Sequence, residues 1–148
     1  MSNPLQSSRV FLGRSFATKE DVIRAIGKAM VEAGDVSPRY AGGMLEKEAQ
    51  FSTWITEGVA LPHGTNAVKS EVVRNSIVLM QIPEGVDWGC GKTVRLAIGF
   101  AGKGDGEHLK LLASLAGVLQ SGENLERLST TTNEEEAIRI LTGEESGL

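Results

Sequence analysis

Cysteine, tyrosine, histidine and proline are scarce in this chain of 148 residues, with one, one, two and four copies. A single thiol, Cys90, excludes an internal disulfide framework and suits a reducing compartment. No apolar run approaches the roughly 20 residues that cross a bilayer, and residues 1–16 lack the apolar centre of a signal peptide. A cytoplasmic protein with no direct membrane insertion is therefore expected. A basic surplus is missing as well: the formal net charge is −4, so nucleic acid, which is held largely through its phosphates, is not an expected partner. What the chain does have, 41% apolar and 23% charged residues, is ordinary for a globular protein with one hydrophobic core. No repeat, low-complexity block or linker divides it. A single domain over residues 1–148 is expected, with a core over 9–142 and loose termini.

Local signals place the elements. Residues 9–12 read as a short strand. Thr18 with Asp21 three positions on is a capping-box variant, and Val22, Ile23, Ile26, Met30 and Val31 recur at helical spacing until Gly34. Ser37 followed by Pro38 predicts a second helix, carrying Tyr40, Met44 and Leu45 towards Gln50 and exposing Glu46, Lys47 and Glu48 at its end. Residues 51–56 read as a connection, 59–62 as a strand, and 65–73 as a loop with a helical turn. The run around Ile77–Met80 predicts a strand closed by the turn chemistry of Pro83-Glu84-Gly85, with a return arm starting at 85–89. Residues 94–101, apolar after Arg95, predict a central strand covered on both faces. A helix over 107–120 should bury Leu109, Leu112, Leu115, Ala116 and Leu119. A short helix around Leu125 and Leu128 and a last one capped by Asn133, with an acidic first turn, complete an α/β pattern.

Two glycine-rich stretches invite nucleotide chemistry and fail its requirements. Gly89-Cys90-Gly91-Lys92-Thr93 ends like a P-loop, but Val86 stands where the first glycine belongs and a strand-like run follows. In the stretch 102–107, Glu107 replaces the last glycine of a dinucleotide fingerprint. What remains is a glycine-rich turn feeding a mildly positive helix N-terminus, with His108 in its first turn.

The other histidine, His63, lies in Gly58-Val59-Ala60-Leu61-Pro62-His63-Gly64-Thr65. Pro62 makes Leu61 extended, and Gly64 lets a reactant or a partner's backbone come close. Both histidines sit beside glycine at a strand end or helix start, and in α/β folds such ends meet at one sheet edge. A metal site would need Cys90 or Glu107 as a third ligand, and no ligand-spacing motif supports it. No serine lies in a nucleophile elbow. A neutral imidazole nucleophile fits better, its ordinary pKa being about 6.5. On these residues alone, a loop histidine and a reactive one both remain open.

The segment Gly58-Val59-Ala60-Leu61-Pro62-His63-Gly64 resembles the phosphorylation-site motif of enzyme IIA domains of the mannitol/fructose class in the bacterial phosphoenolpyruvate-dependent sugar phosphotransferase system. Phe11-Leu12-Gly13-Arg14, Ala17-Thr18-Lys19-Glu20, Pro83-Glu84-Gly85-Val86 and Glu107-His108-Leu109 look like the mannitol type in the same order, over residues 9–142. The resemblance implies a mixed sheet of about five strands with helices on both faces. It also implies a relay in which phospho-HPr phosphorylates His63, and His63 passes the group to a cysteine of a IIB partner, linked to membrane-bound IIC, for uptake of a mannitol-like sugar. His108 is implied as the stabiliser of the phosphoryl group, and Lys47, Gly64 and Thr65 as phosphate or partner contacts. Where the family commonly has arginine before a glutamate, this chain has Lys47 before Glu48, which keeps the charge and loses the bidentate fork. Cys90 matches no IIB cysteine motif, and no metal, nucleotide or other cofactor is implied. The short loop at 89–92 departs from the acidic loop of mannitol-type members and leaves the sugar open. Phe51, Trp54 and Trp88 are either a docking rim or, for at least two of them, core. The alternatives are a regulatory IIA paralogue, whose His63 phosphorylation state controls protein binding without sugar transport, and a non-catalytic ligand- or metal-binding module.

Overall fold

Thr18 Oγ1 accepts the Asp21 N–H at 3.1 Å and so caps helix α1 (Lys19–Glu32), which ends where Gly34 takes φ of +77°. Its apolar spacing leaves Val22, Ile23, Ile26 and Met30 without solvent contact. Pro38 opens α2 (Pro38–Gln50), although the Ser37 hydroxyl donates to the Glu71 carboxylate and does not cap the helix. These elements come from a computed structural model that describes residues 8–89 and 91–142. The expectations for the termini and for Cys90 fall outside the described residues.

Strands β1 (Arg9–Phe11), β2 (Trp54–Thr56), β3 (Gly58–Ala60), β4 (Ser76–Gly89) and β5 (Lys92–Ala101) form one sheet in the order β1-β4-β5-β3-β2. The pairs β1/β4 and β3/β5 are parallel, while β4/β5 and β2/β3 are antiparallel, so the sheet is mixed. β5 is central, as its apolar run predicts, and Val94, Leu96, Ala97, Ile98 and Phe100 are fully buried. α1, α2 and a 3-10 turn (Asn66–Glu71) cover one face, around Ile26, Met44, Trp88 and Val94. α3 (Gly104–Leu119), α4 (Gly122–Thr130) and α5 (Glu134–Thr142) cover the other, around Leu79, Leu96, Phe100 and Leu115. Asn133 Oδ1 accepts the Glu136 N–H at 3.1 Å, the expected cap of α5.

Four expectations need correction. The hairpin does not turn at Pro83-Glu84-Gly85: β4 runs on to Gly89, with an irregular register between Gln81 and Val86, and the chain reverses between Gly89 and Lys92. Proline is tolerated at such a bulge, and Gly89 and Gly91, at φ of +104° and +76°, supply the conformation that a tight hairpin needs. Residues 54–56, expected to be a plain connection, add β2 through pairing of Trp54 with Ala60. α3 starts at Gly104 and buries an i, i+4, i+8 stripe of Leu111, Leu115 and Leu119, while Leu109, Leu112 and Ala116 face out. His108 consequently lies just beyond the first turn. Glu48, expected on an exposed helix end, is buried, for reasons given below. Among the described residues, no helix is long and apolar enough to cross a membrane.

Candidate functional site

Because β3 and β5 run parallel, both end at one edge of the sheet. Just past β3, Leu61 N–H donates to Thr53 O at 2.9 Å, and Phe100 N–H of β5 donates to Pro62 O at 3.0 Å. The chain is thus pinned immediately before His63. The His63 Nδ1 lies 2.9 Å from Leu61 O. A carbonyl oxygen only accepts, so Nδ1 carries the proton and Nε2 keeps its lone pair. The Phe100 ring stands beside both imidazoles, with centroids 4.9 Å from His63 and 5.0 Å from His108. The two imidazoles meet edge to face, 5.5 Å apart. The sheet edge therefore joins residues 45 positions apart in sequence.

Two glycines make this meeting possible by taking up no room. A Cβ on Gly102 would lie 2.4 Å from the His108 backbone nitrogen and 2.5 Å from its Cα, so α3 approaches the end of β5 only because position 102 is bare. A Cβ on Gly64 would lie 2.8 Å from Tyr40 Cε1 and 2.9 Å from Val68 Cγ2. The need at Gly64 is for space, since its φ is not among the positive ones. Its N–H donates to Tyr40 Oη at 2.9 Å, and the Tyr40 O–H donates to Phe100 O at 3.0 Å.

Electrostatics favours neutral imidazoles. Burial pushes the His63 pKa below its ordinary value, and the nearby His108 and the Lys47 ammonium add to this against the opposing Leu61 carbonyl and Glu48. Burial also lowers His108, with Lys47 assisting and Asp105 opposing. Lys47 is half-buried on the last turn of α2, its ammonium 5.3 Å from the Phe51 ring centroid. Behind it, the buried Glu48 carboxylate accepts from the Thr53 N–H and hydroxyl and pairs with Lys19 at 3.5 Å. That satisfied anion anchors the end of α2 and is why Glu48 turns inward. Thr65 Oγ1 is buried and has no hydrogen-bond partner. Beside it, a cavity of about 230 Å³ is lined by Tyr40, Lys69, Asp105 and His108 among others. Phe51 and Leu109 stand 69% and 63% exposed. Trp88 is core, and Trp54 packs half-buried against the core with the Lys92 ammonium 4.2 Å from its ring centroid.

Of the residues singled out from sequence, His63, His108, Gly64 and Thr65 gather here, and the charge of Lys47 acts on both imidazoles. The sequence does not mark Tyr40, Phe100 or Gly102 as parts of a site. Tyr40 and Phe100 fitted their apolar patterns, and only the glycine-rich run after β5 hinted at a close approach. Among the described residues no group of three His, Cys, Asp or Glu side chains is placed to hold a metal. Glu107, once a conceivable third ligand, is engaged by Asn75 and Lys110. A larger groove of about 920 Å³, bordered by Leu12, Glu57, Arg95 and Glu126, contains neither histidine. A neutral nitrogen nucleophile with a second imidazole, a cation and a spare hydroxyl nearby is chemically suited to accept an anionic electrophile such as a phosphoryl group.

The family model described as "Phosphoenolpyruvate-dependent sugar phosphotransferase system, EIIA 2" matches residues 3–144. A mannitol-specific phosphotransferase enzyme IIA component of Staphylococcus aureus is 38% identical over 140 residues, covering 95% of this chain and 96% of that protein. A multiphosphoryl transfer protein of Escherichia coli O157:H7 is 41% identical over 132 residues, 89% of this chain, and the match spans only 35% of that longer protein. Among solved structures, the complex of enzyme IIAMTL and phosphorylated enzyme IIBMTL from Escherichia coli matches with a TM-score of 0.84 and 36% identity, over 93% of this chain and 95% of that one.

Proposed function

The chain belongs to the phosphoenolpyruvate-dependent sugar phosphotransferase system EIIA 2 family, and on that premise we propose that His63 is the residue through which it carries a phosphoryl group. The protein is a phosphotransferase component that receives the group and passes it to a IIB partner. In this reading the donor is phospho-HPr. The His63 Nε2 lone pair forms a bond to phosphorus as the donor's phosphorus–nitrogen bond breaks, and Nδ1 keeps its proton on Leu61 O throughout. The transition state is loose and anionic, so positioning and nearby donors supply the catalysis. A ring N–H of His108, the Lys47 ammonium and the unpaired Thr65 hydroxyl are the donors at hand, while Gly64 gives the partner room. A IIB cysteine then takes the group. Phe51 and Leu109, exposed around the site, suit the docking of donor and acceptor proteins in turn.

The observation that carries this reading is the Nδ1 contact to Leu61 O, which leaves Nε2 as the only nucleophilic ring nitrogen beside a second imidazole. Residues 9–142 then act as one phosphocarrier domain working in the cytoplasm, with a mannitol-like sugar entering through a IIC component. The S. aureus relative named for mannitol favours that role over the regulatory alternative. With phosphoenolpyruvate, enzyme I and HPr, the protein should acquire one acid-labile phosphoryl group, and His63→Ala should abolish it. Persistent labelling of that variant would remove His63 from the role.

A further inference from the structure

Residues immediately before and after His63 are both tied to one residue of the central strand. On the near side, Phe100 N–H donates to Pro62 O. On the far side, Gly64 N–H donates to Tyr40 Oη, and the same hydroxyl donates to Phe100 O. Pro62, His63, Gly64, Tyr40 and Phe100 thus form a closed circuit in which both backbone polar groups of Phe100 are used. The Phe100 ring packs beside the imidazole that the circuit encloses. Tyr40 is the only link in that circuit made by a side chain.

We propose that Tyr40 is a positioning residue for phosphoryl transfer: its hydroxyl, bridging Gly64 N–H and Phe100 C=O, fixes the backbone on the far side of His63 and with it the aim of the imidazole. The inference rests on His63 being the phosphoacceptor. The hydroxyl suits a permanent clamp. Tyr40 is 4% exposed, and burial pushes its pKa up to about 12, so it stays protonated and its donor and acceptor capacities are both in use. Placement on α2 adds a second effect. Lys47 follows Tyr40 by seven residues, close to two helical turns, so one face of α2 sets both the turn that holds His63 and the charge near it. Without the hydroxyl, Pro62 stays pinned and Gly64 is released, which gives the imidazole freedom to swing where misplacement is costly.

The test is Tyr40→Phe, which keeps the ring and removes the bridge. In single-turnover transfer from phospho-HPr, the maximal rate should fall about tenfold while the half-saturating HPr concentration stays unchanged. Nitrogen-15 signals of the His63 ring should move from those of a fixed Nδ1–H form towards a tautomer mixture. Ile140→Val, remote from the site, serves as a control that loses stability and keeps rate and ring signals. A Tyr40→Phe protein that melts earlier yet transfers at the wild-type rate with unchanged ring signals overturns the inference and leaves Tyr40 merely structural. Should the variant not fold, 3-fluorotyrosine labels this position alone, because Tyr40 is the only tyrosine. Fluorine beside the hydroxyl makes it a stronger donor and a weaker acceptor and so alters the bridge, which should change both the transfer rate and the His63 ring signals; neither changing overturns the inference. Continued labelling of His63→Ala would instead sink the assignment of the acceptor, so the two failures are distinguishable.

Discussion

Replacing Gly102 with alanine adds one methyl group at the point where α3 leans on the end of β5, and the structure sets what it should cost. The new Cβ would sit 2.4 Å from the His108 nitrogen, 2.5 Å from its Cα and 2.9 Å from the Glu107 carbonyl carbon. All three are backbone atoms, so no rotamer change relieves the contact. Recovering ordinary van der Waals separation, 3.4 Å or more, requires the start of α3 to retreat by about 1 Å. Overpacking of this kind costs about 1–3 kcal/mol of stability. The same retreat carries His108 away from His63, and a 1 Å misplacement of a catalytic group costs on the order of 100-fold in rate. Urea unfolding of Gly102→Ala should show that loss of stability, and rapid-quench transfer from phospho-HPr under saturating donor should show the loss of rate. Wild-type stability would refute the packing argument. A destabilised variant that transfers within twofold of wild type would refute the claim that Gly102 sets the spacing of the two imidazoles.

Acidification should act through both histidines. Each has a folded pKa below the ordinary value of 6.5, so the unfolded chain takes up these protons first as the pH falls. Their contribution to stability is therefore complete above pH 6.5 and is lost as pH falls through the folded values. NMR titration should give both imidazoles midpoints below 6.5, and the rate of phosphoryl acceptance should halve below that pH; a His63 midpoint above 6.5 would contradict the burial argument. Lys47→Ala should raise both midpoints and slow transfer about tenfold or more, whereas Lys47→Arg should retain the midpoints and transfer at least as fast. Unchanged titration and rates in Lys47→Ala would reduce Lys47 to a surface residue.

Much of the fold was written in local chemistry. The Thr18 and Asn133 caps, the Gly34 stop and the apolar run of β5 each depend on neighbours within a few residues, and each reads the same way in sequence and structure. The differences arise where distant partners decide. Pro83-Glu84-Gly85 has every mark of a turn, yet pairing of residues 86–89 with the start of β5 keeps the strand going. Leu109 and Leu112 match a helical stripe as well as Leu111 does, and only the position of the sheet selects between them. Glu48 is drawn inward by Thr53 and Lys19, 5 and 29 residues away. The site follows the same rule. His63 stands out because proline and glycine flank it, and its partner because it follows a glycine-rich run. The Tyr40 hydroxyl has no signature, and the glycine-rich run does not say which of its glycines must be bare, since these roles exist only after β3, β5, α2 and α3 have come together.

The Phe100 platform also gives the two imidazoles different lifetimes of placement. Its amide belongs to the fully buried Phe100 of the central strand and donates to Pro62 O, so water reaches it only when the surrounding core opens. Amide hydrogen exchange at Phe100 should therefore report opening of the whole domain, among the slowest exchange in the protein. His108 is held near the start of a helix that begins at Gly104 in a left-handed conformation, with no side-chain cap. Such ends open at lower free energy. The two rings thus answer to different events, one to opening of the core around the central strand and the other to fraying of a helix start that Asn75 ties through the Lys103 N–H and the Glu107 carboxylate.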